Sequence, residues 1–230
     1  MTINQVWIDW INLNISRGCD KEGIYKILID EGFDPSDIEI QMGYQPKVDI
    51  EDIPIYTSVG FKKEKLNAKL FTKIKVFYEE NKNNSEVEIV KGFIHTSKDN
   101  QPASRLVNLT DNLRKEIHMS LKPELEEWAN TQLESTAVYG IRIYGKDAVL
   151  EEHRDREQTH IVSAIINVDQ DVDSDWPLII DDHHYRKHHI LLNPGEVLFY
   201  EGARLKHGRP MPLNGQNYAN IFCHFKVGIQ

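Results

Sequence analysis

Hydrophobic residues near the start of the chain recur at helical spacing and predict three short helices within residues 3–44. The positions that form an apolar face are Val6, Trp7, Trp10 and Ile11 in the first helix, and Ile24, Ile27 and Leu28 in the second. We expect Asp20 to cap the second helix, Gly32 to end it, and Asp34-Pro35 to begin the third. Because so few apolar side chains build little core alone, residues 1–45 are predicted to form a small helical module that docks on the main domain or on a partner.

The middle of the chain is predicted to be helical after an extended connector. Residues 46–61 contain two prolines and have the pattern of a connector. An amphipathic helix follows, with Leu66, Leu70, Ile74 and Phe77 on its apolar face. Residues 81–84 are expected to form a polar loop. Residues 110–133 are predicted to form a pair of helices, the second of which begins at Pro123.

From about residue 136 the hydrophobic pattern changes to that of β-strands. Six segments are rich in β-branched and aromatic residues and are separated by short polar or Gly/Pro segments: 137–144, 160–168, 177–181, 187–192, 196–200 and 217–225. Helices followed by many short strands are typical of an α+β domain, here a β-sandwich or barrel braced by helices.

Composition narrows the class of protein. The chain has 230 residues, of which 40% are hydrophobic and 27% charged, as in an ordinary soluble globular protein. It contains no apolar run of roughly 18 residues, the length that a membrane-spanning helix needs, and its first ten residues lack the pattern of a secretory signal. The two cysteines, Cys19 and Cys223, are too few for a disulfide framework, so we expect a reducing, cytoplasmic setting.

The charge of the chain argues against a nucleic-acid partner. Lys and Arg number 27 against 36 Asp and Glu, which gives a formal net charge of −9. Residues 1–60 alone carry 11 acidic and 4 basic side chains. A surface of this sign repels a phosphate backbone.

One constellation within the strand region has the composition of a metal site. His153 and Asp155 are two residues apart, so that on a strand both project from the same face. His207 follows Asp155 by 52 residues and lies near the start of the last strand region. Two imidazoles and one carboxylate can occupy one face of an octahedral metal and leave three positions open, as in non-haem Fe(II) oxygenases.

These residues belong to a series of motifs that resembles a known family. The motifs, in order, are YGIRIY (139–144), HRD (153–155), THIVS (159–163), NPG (193–195), LFYE (198–201), HGRP (207–210) and YANIFCH (218–224). On them, residues 62–230 resemble an Fe(II)/2-oxoglutarate-dependent oxygenase of the prolyl 4-hydroxylase-like group. The resemblance implies a double-stranded β-helix, with its core at about residues 136–228, that closes a pocket around Fe(II).

The resemblance also implies a reaction. In this family 2-oxoglutarate chelates the iron, dioxygen takes the remaining position, and oxidative decarboxylation to succinate and CO2 is coupled to hydroxylation of a C–H bond. The protein contributes positioning and a dry site, while the metal and the cosubstrate carry the chemistry.

The sequence departs from the family at the residue that binds the cosubstrate's distal carboxylate. The family has Lys or Arg nine or ten residues after the second histidine, where this chain has Gln216 and Asn217. An unpaired buried carboxylate is costly, so another group must replace that cation. The candidates are Arg209 assisted by Tyr144, and beside them Arg142, Asn217 and Tyr218.

The remaining polar and aromatic residues are assigned lesser roles. His160 and Ser163 are expected to support the metal ligands without binding the metal. His183, His184, His188 and His189 are expected to lie in a solvated hairpin turn. His224, Tyr200, Glu201, Trp128, Trp176 and Cys223 are expected to serve structure and packing.

The favoured function is hydroxylation of a peptide or protein side chain, with proline the first residue to test. One alternative keeps Fe(II), 2-oxoglutarate and dioxygen but changes the substrate to a free amino acid, a small metabolite or a ribosomal natural-product precursor; in the last case the acidic helical module could hold a basic leader peptide. A second alternative, motivated by Gln216 and Asn217, is a non-catalytic binding protein on the same fold.

Overall fold

The computed structural model describes residues 3–19, 21–44, 53–90, 92–96 and 101–228. The chain divides into two compact units, Met1–Asp52 and Ile53–Gln230. The expected cap at Asp20 lies outside the described residues, as do residues 46–52 of the predicted connector.

The first unit contains the three helices expected from the sequence: α1 (Gln5–Ser16), α2 (Lys21–Asp30) and α3 (Pro35–Met42). Asn4 caps α1, since its side chain accepts a hydrogen bond from the Trp7 N–H at 3.2 Å. The unit has a core of its own, formed by Ile3, Ile11, Ile24, Leu28, Phe33, Ile38 and Met42. The sequence therefore underestimates the core of this unit. Val6 and Ile27 are wrongly placed on the apolar faces, because they are 75% and 46% exposed.

Within its described residues, the second unit contains two α-helices, a short 3-10 helix (Lys82–Asn84) in place of most of the predicted polar loop, and twelve strands. The α-helices are α4 (Ala68–Asn81) and α5 (Asp111–Ala129). The strands before and after α5 are β1 (Phe61–Lys65), β2 (Glu86–Glu88), β3 (Ile94–Thr96), β4 (Ser104–Val107), β5 (Leu133–Gly145), β6 (Ala148–His153), β7 (Val162–Val172), β8 (Leu178–Asp181), β9 (Lys187–Ile190), β10 (Glu196–Tyr200), β11 (His207–Arg209) and β12 (Gly215–Val227). Of the described helices, none is long and apolar enough to cross a membrane.

The strands form two antiparallel sheets, which confirms the α+β class. The larger sheet has the order β1-β10-β7-β12-β5-β4-β2, and the smaller has the order β3-β6-β11-β8-β9. All six predicted strands are present as β5, β7, β8, β9, β10 and β12. The strands that the sequence did not predict are short, and β1 and β11 carry too few apolar residues to show an alternating pattern.

Both faces of the larger sheet are buried, and they face different cores. Helices α4 and α5 cover one face, where Ile166 and Ile221 belong to a core shared with the helices. The alternate residues Ile165 and Phe222 belong to a second core with Trp176, Leu178 and Ile180. Because successive strand residues point to opposite faces, the buried run along β7 serves both cores.

The predicted pair of helices between residues 110 and 133 is wrong. A single helix, α5, crosses this region and contains Pro123 in its interior. Its buried positions, Leu113, Ile117, Leu121, Leu125 and Ala129, recur every four residues across the proline. Their continuous burial outweighs the loss of one backbone hydrogen bond at Pro123, which is itself exposed. The helix ends at Asn130, which has a left-handed φ of 49°.

Replacing Pro123 with alanine is expected to stabilise the protein. The helix-interior penalty of proline is about 3 kcal/mol, and the greater freedom of alanine in the unfolded chain offsets about 1 kcal/mol, so the free energy of unfolding should rise by about 2 kcal/mol. Urea denaturation measures this change. Met119→Ala is the control, because Met119 is exposed on the same helix and its replacement leaves the backbone hydrogen bonds intact. An unchanged or lower stability of Pro123→Ala would contradict the prediction.

Candidate metal centre

The three predicted metal ligands come together in the structure. His153 ends β6 and His207 begins β11, and the two residues are directly opposite each other in the antiparallel pair. Asp155 follows β6, and its Oδ1 lies 3.7 Å from the Nε2 atom of each histidine. The three ligand atoms lie within 4.8 Å of one another, and no other such group of His, Cys, Asp or Glu is found in the described part of the chain. A single ion can contact all three.

Backbone hydrogen bonds fix the orientation of both imidazoles. Nδ1 of His153 lies 2.7 Å from the carbonyl oxygen of Glu151, and Nδ1 of His207 lies 2.8 Å from that of Leu205. Since a carbonyl only accepts, each Nδ1 carries the proton and each Nε2 presents a lone pair toward Asp155. Burial lowers the pKa of both imidazoles to about 4, and the neighbouring His207 adds to this effect on His153. Both rings are therefore neutral at ordinary pH, the form that binds a metal.

A hydrogen bond to Oδ2 holds the carboxylate of Asp155 in place. The Tyr200 hydroxyl donates to Oδ2 at 3.0 Å, and the Asp155 backbone N–H donates to the Gly202 carbonyl at 2.9 Å. Oδ1 is thus left facing the two histidines. Burial raises the pKa of Asp155, and the imidazoles of His153 and His160 and the Tyr200 hydroxyl act in the opposite direction. A divalent cation at this position would favour the charged carboxylate further.

His160, Ser163 and His224 lie behind Asp155. The Ser163 hydroxyl is 2.8 Å from Nδ1 of His224, and that nitrogen is 3.9 Å from Asp155 Oδ2. The ring of His160 stacks on that of His224 at a centroid distance of 3.8 Å. Sequence reasoning placed His160 and Ser163 here but assigned His224 and Tyr200 to packing alone. The alternation along β12 could have found His224, since it lies on the same strand face as Phe222.

An open cavity of about 160 Å³ lies against the triad. Phe93 packs on His153, and Tyr139 packs on His160 and His224, so aromatic rings flank the metal ligands on two sides. The other lining residues are Val90, Ile94, Arg142, Leu150, Arg154, Arg156, Ile165, Tyr200 and Phe222. The site therefore combines a metal-ligand set with a largely apolar recess.

The fold was compared with solved structures. A prolyl-4-hydroxylase from Pseudomonas putida has a TM-score of 0.56 at 12% identity, over 74% of this chain and 94% of that chain. HygX from Streptomyces hygroscopicus, with nickel, 2-oxoglutarate and hygromycin B bound, has a TM-score of 0.55 at 14% identity, over 74% and 84%. A prolyl hydroxylase from Trichoplax adhaerens, in complex with a hypoxia inducible factor peptide fragment, has a TM-score of 0.53 at 12% identity, over 77% and 87%.

The fold is that of the 2-oxoglutarate/Fe(II) oxygenases. This confirms the jelly-roll, double-stranded β-helix core that the sequence motifs implied. No protein-family model and no curated protein matches the sequence. At identities of 10–14% the likeness carries the fold of the oxygenases, and the argument about chemistry rests on the residues of this chain.

Within this oxygenase fold, Arg209 has the features of an anion-binding residue. It lies two positions after His207 on β11, so both side chains point to the same face. Arg209 is 1% exposed, its guanidinium packs over the rings of Trp176 and Tyr218, and its Nη1 donates to the Trp176 carbonyl. Its Nη2 is buried without a hydrogen-bond partner among the described residues. A buried, unpaired guanidinium nitrogen is costly unless an anion meets it.

Tyr144, the predicted assistant of Arg209, packs on the same tryptophan at a centroid distance of 5.1 Å. Its hydroxyl is buried and makes no bond of acceptable hydrogen-bond geometry to any described residue. It nevertheless lies near the guanidinium of Arg142. Burial lowers the pKa of Arg142, but Tyr144 and Glu88 together raise it above its ordinary value. Since a guanidinium only donates, the oxygen of Tyr144 faces Arg142 as an acceptor and its O–H remains able to donate to a further partner.

Two of the other predicted cosubstrate residues, Arg142 and Tyr218, are engaged elsewhere. Arg142 borders the cavity, but its guanidinium forms two hydrogen bonds with Glu88, at 2.6 and 2.7 Å. The Tyr218 hydroxyl donates to the Leu192 carbonyl at 3.1 Å. Asn217 leaves only its amide oxygen buried and unpartnered, and an oxygen acceptor does not bind a carboxylate. Among the five candidates, Arg209 and Tyr144 have free hydrogen-bonding capacity of the right kind.

One of the lesser assignments is corrected by the structure. His183 was expected in a solvated turn, but its side chain is 4% exposed and its Nε2 lies 3.2 Å from Glu201 Oε1. Glu201 also accepts hydrogen bonds from the backbone of Tyr56 and from the backbone and hydroxyl of Thr57. His184 and His189 are exposed as expected. Cys223 is buried, and burial raises the pKa of its thiol, as expected for a residue that packs rather than reacts.

Replacing Gly202 with alanine is expected to weaken metal binding. A Cβ atom at Gly202 would lie 2.2 Å from Asp155 Oδ2, so the carboxylate must move away from the histidines. Displaced supporting contacts cost metal affinity about 10–100-fold. Calorimetric titration with Mn(II) measures the loss. Gly228→Ala is the control, because its Cβ would meet nothing closer than 3.6 Å, and equal Mn(II) affinities of the two variants would refute the prediction.

Proposed function

We propose that this protein is an Fe(II)- and 2-oxoglutarate-dependent oxygenase that hydroxylates a side chain of a peptide or protein, with proline the first residue to test. The observation that carries the proposal is the convergence of two neutral Nε2 atoms and one carboxylate oxygen at the edge of an open cavity. This donor set suits Fe(II) and leaves coordination positions for a cosubstrate and dioxygen.

The residues present fit both groups. His153, Asp155 and His207 would hold the metal. The unpartnered Nη2 of Arg209, with the Tyr144 hydroxyl, would bind the distal carboxylate of 2-oxoglutarate against Trp176, deeper in the core than the residues that line the cavity. When bound, Fe(II), 2-oxoglutarate and dioxygen together supply the oxidation of an unactivated C–H bond to an alcohol. The two Nδ1 hydrogen bonds and the Tyr200 hydroxyl hold the ligands in place, so the metal finds them already oriented. The apolar side chains that line the cavity would exclude bulk water once a bound substrate covers its opening.

The size of the cavity favours insertion of one small group. A protein cavity of about 150 Å³ accommodates a benzene molecule. The cavity of about 160 Å³ is open and must also receive the cosubstrate, so a substrate would insert only the group to be oxidised, such as a proline ring, and keep the rest outside. Two of the similar solved structures are prolyl hydroxylases, and one of them is in complex with a peptide.

A small-molecule substrate is the second candidate. The similar structure of HygX contains hygromycin B, so the same fold accommodates a compound of that kind in another protein. A free amino acid, a small metabolite or a ribosomal natural-product precursor would also present a single group to the cavity. The third candidate, a non-catalytic binding protein, differs from both in producing no succinate.

The test is turnover of the purified protein with Fe(II) and 2-oxoglutarate. With proline-containing peptides the proposal predicts succinate and a mass gain of one oxygen (about 16 Da) on the peptide. Free amino acids and small metabolites in the same assay test the second candidate. Calorimetry with Mn(II) and 2-oxoglutarate tests the third candidate, the non-catalytic binding protein. If neither ligand binds and no succinate forms, the proposed function is wrong.

A further inference from the structure

The charges around the cavity have the opposite sign to those of the whole protein. The formal net charge of the chain is −9, yet the described residues that line the cavity include three arginines and a single carboxylate, the metal-ligand candidate Asp155. A cation at the triad would add further positive charge. An opening of this kind attracts anions and repels cations, even though the remaining surface does the reverse.

Two of the three arginines are free to bind an anion. Arg142 is committed to Glu88 by two hydrogen bonds. Arg154 and Arg156 have no carboxylate within 4.0 Å in the described part of the chain. The Nε of Arg154 donates to the Arg204 carbonyl at 3.0 Å, which leaves its two Nη groups for an anion. Their charges lie close to the metal site, since Arg154 contributes to lowering the pKa of His207 and Arg156 to lowering that of His160.

Next to these cations, the cavity offers exposed aromatic rings. Phe93 is 42% exposed and Tyr139 is 40% exposed, and each packs on a histidine of the site, as described above. A large ring that stays exposed beside a ligand recess is suited to contact an apolar group of the substrate. The entrance therefore combines apolar contacts for the group to be oxidised with guanidinium groups on the residues that flank Asp155.

We propose that the substrate carries a carboxylate close to the oxidised group, and that Arg154 and Arg156 bind it. The proposal rests on the proposed function and specifies its substrate class. A planar guanidinium binds a carboxylate through two parallel hydrogen bonds, so an arginine pair fixes the orientation of the substrate as well as its position. The carboxylate can come from an Asp or Glu side chain next to the reacting residue, or from the α-carboxylate of a free or terminal amino acid.

The experiment measures binding, so that it does not depend on turnover. Fluorescein-labelled peptides of equal length, with Glu-Pro-Glu, Gln-Pro-Gln or Lys-Pro-Lys at the centre, are titrated with the Mn(II)-loaded full-length protein at low ionic strength, and also with the metal-free protein. We expect the glutamate peptide to bind at least about tenfold more tightly than the glutamine peptide, and the lysine peptide to bind most weakly. In the second arm, N-acetylproline and N-acetylprolinamide compete with the labelled glutamine peptide, and preferential displacement by the acid identifies an α-carboxylate as the anion.

The double variant Arg154→Gln/Arg156→Gln should reduce each preference to less than about twofold. Lys62→Gln/Lys226→Gln is the matched control, because it removes two positive charges from exposed lysines of the same unit that pair elsewhere, with Glu64 and Glu134. A preference in either arm that is lost in the arginine variant and kept in the lysine variant supports the proposal. No preference in either arm, or equal behaviour of the two variants, overturns it.

A third readout separates the substrate from the cosubstrate. If the arginine variant loses more than tenfold in affinity for 2-oxoglutarate, measured by calorimetry with Mn(II), the two arginines serve the cosubstrate and the proposal is overturned. Absence of succinate with every substrate, together with a carboxylate preference that depends on the arginines, would refute the proposed function and leave the carboxylate site standing.

Discussion

Replacing His207 with glutamine is expected to abolish metal binding and succinate formation together. The variant keeps most of the side-chain volume in a position that is 2% exposed, but removes the Nε2 lone pair that faces Asp155. Loss of a supporting contact alone costs about 10–100-fold in metal affinity, so loss of a direct ligand should exceed about 100-fold. Calorimetry with Mn(II) and a succinate assay with Fe(II) measure the two effects.

The matched control for this prediction is His189→Gln, since His189 is an exposed histidine on β9, a strand of the same sheet that does not pair with β11. Near-ultraviolet circular dichroism checks that both variants keep the native packing. The interpretation of the triad fails if the His207 variant is folded and binds Mn(II) within about tenfold of the unchanged protein.

The second large effect is expected at Arg209. Replacing it with methionine removes the buried guanidinium and keeps an apolar side chain of similar length. A hydrogen bond to a charged group contributes about 1.5–3 kcal/mol, so the dissociation constant for 2-oxoglutarate should rise about 10–100-fold. The variant relieves the unpartnered Nη2 but also loses the Nη1 bond to the Trp176 carbonyl, so the two effects oppose each other and the thermal midpoint should change little.

Arg142→Met is the informative comparison. It removes a guanidinium whose two hydrogen bonds go to Glu88, so it should lower the thermal midpoint by leaving that carboxylate half-buried and unpaired. Calorimetry with Mn(II) and 2-oxoglutarate, and thermal denaturation, are measured on both variants. If Arg142→Met loses affinity for 2-oxoglutarate while Arg209→Met does not, Arg142 is the residue that binds the cosubstrate.

The sequence predicts those parts of the fold that bury many apolar residues. The central strands β7 and β12 carry long runs of β-branched and aromatic residues because both of their faces are buried. Long apolar runs of this kind are absent from β6 and β11, which carry the two histidine ligands. Strand β6 ends in two glutamates and a histidine, and β11 has only three residues, so the hydrophobic pattern alone misses both, while the motif around His153 and His207 finds the site.

Other features of the site depend on contacts between distant segments. Tyr200 and His224 were assigned to packing because each lies in an apolar strand, and only the pairing of β7 with β10 and β12 brings them to Asp155. Pro123 shows the same limit in a helix, where local chemistry indicates a start but a continuous buried face decides the outcome.

The hydrogen bonds of Glu201 determine where a truncated form of the larger unit can begin. Glu201 is 1% exposed and receives hydrogen bonds from Tyr56 and Thr57, while Arg204 donates to the carbonyl of Ile53. Residues 53–57 thereby fasten the loop that leads into His207. A truncated protein that starts at residue 62 would lack Tyr56 and Thr57, and the buried Glu201 carboxylate would lose most of its hydrogen-bond donors. A truncated protein that starts at Ile53 keeps them. Crystallisation trials of the larger unit should therefore begin at Ile53.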